Sequence, residues 1–224
     1  MVQDERKEPL GADAQVDPQP PAQQTRPDCV AEPALGSESE SERKLPPLTP
    51  QEFRVYNRLS EKMDYFHEHF RQMYSTLHTA CVTKRRPAGM TLKQFIDEGL
   101  NLTRYLESHH TIEETYLYPI LARKMPEFQA SSPPGALKKG KEGRQEDCEL
   151  IRQHRLIHEG MDEMADYLRQ CKSKECELEL SVLKEKIDPW GEVLLKHLEQ
   201  EVRDLSAENM RKYWTLQEMR SIPI

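Results

Sequence analysis

From residue 51 onward apolar side chains return every three or four positions, the interval of one helix face rather than the alternation of a strand. Val55, Leu59, Met63, Phe66, Phe70, Tyr74 and Leu77 trace the first such face over about residues 51–83, and Arg86-Pro87-Ala88-Gly89 breaks it. Its start is marked by Thr49-Pro50-Gln51-Glu52: a capping hydroxyl, a proline where no N–H is needed, and a glutamate placed to close a capping box. A second helix begins after Thr91 and runs through Phe95, Leu102, Leu106, Ile112, Tyr116 and Ile120 to near Lys124. A third, about 147–171, carries Leu150, Ile157, Met161, Ala165 and Leu168. A fourth, about 176–205, carries Leu183, Ile187, Trp190, Leu194 and Leu205, and Pro189 predicts a kink in it. Short helices over Ala207–Trp214 and Thr215–Arg220 are expected to fold back over one end. Four long amphipathic helices predict an all-α protein, an up-down-up-down four-helix bundle.

The remaining stretches read differently. Residues 1–48 are proline-rich, contain a Ser/Glu run from Ser37 to Glu42 and have no aromatic residue, so a disordered tail is expected there. Residues 127–146, rich in Pro, Gly and Lys, read as a long exposed connection. The division is then 1–48 tail, 49–206 bundle and 207–224 helical extension. A formal net charge of -7 with no basic block argues against nucleic acid. No apolar run approaches the roughly 20 residues a membrane span requires. The first residues hold no apolar targeting core, which places the protein in the cytoplasm, with the nucleus also open. Five cysteines without CxxC spacing suggest neither a disulfide framework nor a zinc ribbon.

The informative residues are the histidines, because the facing of each on its helix follows from about 100° per residue. His109 points along the apolar stripe of the second helix, with Glu113 one turn on and about 40° away. His154 and His158 repeat the arrangement on the third helix, and His197 and Glu201 on the fourth. On the first, His67 lies among Met63, Phe66, Phe70 and Tyr74. Five imidazoles and two carboxylates in a core are costly unless a cation neutralises them. Residues four apart offer two donors to one site, imidazole with carboxylate suits iron, and two carboxylates able to bridge suit two irons. His69 should face solvent and His78 should lie too far along the axis. His110 and Glu114 fall toward the edge of the stripe, more readily surface charges than supporting partners, and Asp162 is a weaker spare. Tyr105 and Tyr116 are read first as core.

A lone His, then His-x-x-x-Glu, His-x-x-x-His and His-x-x-x-Glu in that order, with Glu113-Glu114-Thr-Tyr-Leu-Tyr-Pro119, resembles the hemerythrin-like (HHE cation-binding) family over about residues 51–205. The flanking AENMRKYW segment is similar to uncharacterised fungal members. Carried over, the resemblance implies His67, His109, Glu113, His154, His158, His197 and Glu201 as ligands of a non-haem di-iron centre, with zinc or manganese also compatible with the donor types. It implies dioxygen or a related small ligand as partner, in carriage, sensing or iron handling. The rival expectation is a di-iron oxidase or a peroxide- or nitric-oxide-handling enzyme, in which Tyr105 or Tyr116 would relay electrons or protons. A glutamate on the last helix where oxygen carriers often have aspartate speaks against dedicated transport.

Overall fold

The computed structural model describes residues 45–129 and 147–223. The expected tail therefore falls almost wholly, and the expected connection mostly, outside the described residues. Helix α1 (Pro50–Thr83) starts as its sequence dictates. The Thr49 hydroxyl accepts the Glu52 N–H and the Glu52 carboxylate accepts the Thr49 N–H at 2.9 Å. Thr91 and Gln94 close the same box on α2 (Leu92–Ile112).

Past Ile112 the chain departs from the expected unbroken helix. Glu113–Leu117 forms a π turn, followed by the short α3 (Tyr118–Leu121). The cause is Pro119, which lacks an N–H and whose ring would meet the carbonyl four residues back in a regular helix. Widening one turn, with the Tyr118 N–H bonded five residues back to Glu113, seats the proline without ending the helix.

A 3₁₀ turn (Pro126–Phe128) follows, then α4 (Glu149–Ser173), α5 (Leu180–Asp204), α6 (Ala207–Tyr213) and α7 (Leu216–Ser221). Pro189 lies inside a continuous α5. There is no strand among the described residues, and no described helix is long and apolar enough to cross a membrane. Around the bundle the neighbours run α1, α2, α4, α5 and back to α1, the up-down-up-down arrangement of a four-helix bundle. Helices α6 and α7 pack on α1. Tyr56 donates its hydroxyl to the Trp214 carbonyl at 3.0 Å.

The core has two apolar clusters. One runs from Phe70 to Cys81 on α1 and includes Leu102, Leu106, Ile157, Leu168, Ile187 and Trp190. The other gathers Tyr56, Leu59, Met63, Leu121, Leu150, Leu205 and Trp214. Along each long helix inward His or Glu residues lie near where one cluster gives way to the other.

Helices α4 and α5 approach closely at Gly160, where an added Cβ would lie 2.3 Å from Cδ1 and 2.7 Å from Cβ of Trp190. The second contact ties the clash to backbone, so rotating the indole does not relieve it. Gly160→Ala is expected to lower the unfolding free energy by about 1–3 kcal/mol, measured by urea denaturation.

Asp204, at the end of α5, titrates at about 6 rather than its ordinary 3.8, chiefly through burial and then through the Glu127 carboxylate. A raised folded value means that the group favours the folded state below its unfolded pKa and loses that contribution as pH rises through about 6. Asp204→Asn should therefore stabilise by about 1 kcal/mol at neutral pH, after allowance for solvent screening. Melting temperatures across pH 4 to 7.5, on this reasoning about 4 upward, should show the gain vanishing toward the acid end.

Candidate metal centre

The polar layer is built by four elements of the bundle and the π turn. His67 comes from α1, His109 and His110 from α2, Glu113 and Glu114 from the turn, His154 and His158 from α4, and His197 and Glu201 from α5. His67, His110, His154, His197, Glu113 and Glu201 are each no more than 2% exposed. Their donor atoms form two sets, His67, His109, Glu113 and Glu201, and His110, Glu113, His154 and His197, with the atoms of each set within 4.8 Å of one another. Glu113 belongs to both. Its Oε1 lies 2.7 Å from His109 Nε2 and its Oε2 lies 3.4 Å from His154 Nε2.

The outer ring nitrogens show which way the imidazoles are poised. His67 Nδ1 donates to the Leu198 carbonyl at 3.0 Å, and His154 Nδ1 donates to Glu114 Oε1 at 2.7 Å. His197 Nδ1 donates to Gln153 Oε1 at 3.2 Å. That amide is oriented by its own Nε2, which donates to Glu149 and Gln200. Carbonyl, carboxylate and amide oxygens only accept, so the proton sits on Nδ1 in all three rings and each Nε2 turns a lone pair inward. This pairing of the outer nitrogen with a carboxylate or carbonyl is the one that orients metal-bound histidines.

Few donors reach the inward atoms, the Tyr118 hydroxyl at 3.4 Å from His154 Nε2 among them. His154 Nε2 and His197 Nε2 stand 3.2 Å apart, as do His67 Nε2 and His109 Nε2. Both Glu113 oxygens, both Glu201 oxygens and His110 Nε2 are buried without a hydrogen-bond partner, and the close His109–Glu113 approach is too bent to be one. Lone pairs facing one another in a dry interior repel unless a cation lies among them. The residues therefore fit metal ions on the chemistry of the donor set and on these orphaned atoms. Burial pushes His109 down to about 4 and His197 down to about 3, so both are neutral at pH 7 and free to ligate. Burial, then the neighbouring Glu201, pushes the Glu113 carboxyl well up.

Six of the seven residues singled out in the sequence, His67, His109, Glu113, His154, His197 and Glu201, meet in these sets. His158 is brought alongside but stands outside both, its Nε2 3.2 Å from His110 Nδ1. His110, expected at the edge of the stripe, is fully buried. Helix α2 packs against both α1 and α4, so its buried arc is wide: His109 turns to His67 on α1 while His110 stacks on His154 of α4 at 3.8 Å. Glu114 has the supporting role rather than that of a plain surface charge, holding His154. His69 and Asp162 are exposed, and His78 pairs with Asp188 at 3.4 Å away from either set.

The π turn explains two further departures. Tyr116, expected in the core, is 65% exposed, and Tyr118, not singled out, is 3% exposed with its hydroxyl 3.4 Å from His154 Nε2. In an unbroken helix Tyr118 would lie about 180° from His109; the extra residue in the turn rotates it inward and swings Tyr116 out. Tyr105 is also outside the core, at 40% exposure. The signal in the sequence was Pro119, which implies a local break near the end of α2.

Searches among curated proteins and among solved structures find no match. Residues 58–207 match the hemerythrin HHE cation binding domain, a span reaching from α1 through all four long helices to the first residue of α6. With its His and Glu donors converging inside such a bundle, the chain belongs to the hemerythrin HHE cation-binding family.

Proposed function

We propose that the two donor sets hold a pair of iron ions with Glu113 common to both, and that the centre binds dioxygen or a closely related small ligand. The observation that carries this reading is the convergence of unpartnered Glu113 and Glu201 oxygens with the Nε2 atoms of imidazoles whose outer nitrogens are already engaged elsewhere. A mixed imidazole and carboxylate donor set suits iron, which supplies reversible electron transfer and an open coordination position. His67, His109 and Glu201 serve one position, and His154 and His197 the other. The burial of His110 and its unpartnered Nε2 support His110 as the third imidazole of the second position, with His158 behind it.

The chain's own contribution is orientation and burial of the donors. Glu114 and the Leu198 carbonyl hold the rings of His154 and His67, and apolar clusters flank the donors on either side, leaving most of them no more than 2% exposed. Tyr118 places a hydroxyl beside His154 Nε2, where it can donate a hydrogen bond to a small ligand.

Metal analysis of protein loaded with ferrous iron should give about two irons per chain, the number the two donor sets accommodate. His109→Ala should lose at least half of that and His69→Ala none; equal loss in both would overturn the assignment. His110→Ala should release iron outright, whereas His158→Ala should weaken affinity by about 10–100-fold, as loss of a supporting partner does. The reverse order would make His158 the ligand.

Ferrous protein prepared without air should develop visible charge-transfer absorption when oxygen is admitted and lose it under vacuum. Irreversible bleaching with consumption of a reductant would reassign the centre to catalysis.

A further inference from the structure

The geometry points to a binding site for an amphiphilic organic acid, with its apolar chain laid between α1 and α2 against His109 and Glu113. A concavity of about 680 Å³ opens there, some twenty times the roughly 30 Å³ share of a water-sized molecule and within the range of pockets that take drug-sized ligands. A diatomic gas does not require it. Phe66 and Phe70 form one wall and Tyr105, Ile112 and Tyr116 the other, with His109 and Glu113 among the lining residues. Phe66 is 38% exposed, Ile112 58% and Tyr116 65%, so these apolar side chains gather around one hollow.

Depth favours a small molecule over a protein face: Glu113 is 2% exposed and both its oxygens lack hydrogen-bond partners, yet it lines the same hollow as the exposed aromatics. Charge selects the head group. Lys62 Nζ lies 5.3 Å from the centroid of the Phe66 ring, and the Arg104 guanidinium lies 5.1 Å from that of Tyr105. Neither cation has a carboxylate within 4.0 Å among the described residues. A carboxylate head is thus attracted to the rim. The hollow is accordingly where a substrate or effector of the centre would lie, a placement that rests on His109 and Glu113 being metal donors.

The test is titration of the full chain, metal-free and iron-loaded, with 11-(dansylamino)undecanoic acid, whose emission rises and shifts to the blue on entering an apolar site. Saturable binding of one probe per chain is expected. Ile112→Glu, a change at an exposed position, should weaken it by about tenfold or more while leaving the melting temperature in place. Lys62→Glu should weaken the acid but not its methyl ester. Absence of saturable binding in either form, or equal binding by Ile112→Glu, would overturn the proposal. So would sedimentation as a dimer that Ile112→Glu dissociates, which would make the face a contact between copies. Failure of probe binding with iron uptake intact removes the pocket alone; failure of iron uptake with probe binding intact removes the metal reading alone.

Discussion

Carboxylates and imidazole lone pairs cannot crowd together in a dry helical interior without positive charge among them, and this constraint orders the rest of the molecule. Glu113 and Glu201 are buried between two apolar clusters, where an isolated ion costs several kcal/mol even after relaxation. The surrounding groups do not relieve that cost, because the nearby rings are committed through Nδ1 to Leu198, Glu114 and Gln153. What the helices supply is a cage of acceptors, held from behind. The capping boxes fix where α1 and α2 begin, and the close packing at Gly160 fixes how near α4 and α5 lie.

Much of this was legible in the chain because helical periodicity is a strong signal and because caps announce themselves. Thr49 and Thr91 lie at the N-caps that their neighbours imply, and the first, third and fourth long helices fall within a few residues of their expected bounds, whereas the second gives way to the π turn at Glu113. Facing was harder. A single angle per residue treats a helix as having one buried line, whereas α2 is wedged between two neighbours and buries an arc, which is how His110 came to be fully enclosed. The π turn defeated the same arithmetic from Glu113 onward, exchanging the fates of Tyr116 and Tyr118. Only the proline hinted at it, and a proline alone does not say whether a helix kinks, ends or widens.

That turn also links the fold to access. By carrying Tyr116 outward and Tyr118 inward it leaves an aromatic rim on the α1 and α2 side and places a hydroxyl beside the donors on the α4 side. π turns recur at functional sites because they reposition side chains without dismantling the helix that holds them. Here one irregular turn contributes Glu113 to the centre, Glu114 to the support of His154, and Tyr116 to the hollow.

The sharing of Glu113 has a last consequence. A carboxylate that contributes to two donor sets cannot be oriented for one without being oriented for the other, so if both sets held metal, occupancy at either would change the affinity of its neighbour by a reciprocal factor. On the proposed two-ion reading, the positions would therefore fill and empty as a linked equilibrium, each felt at the other through one side chain.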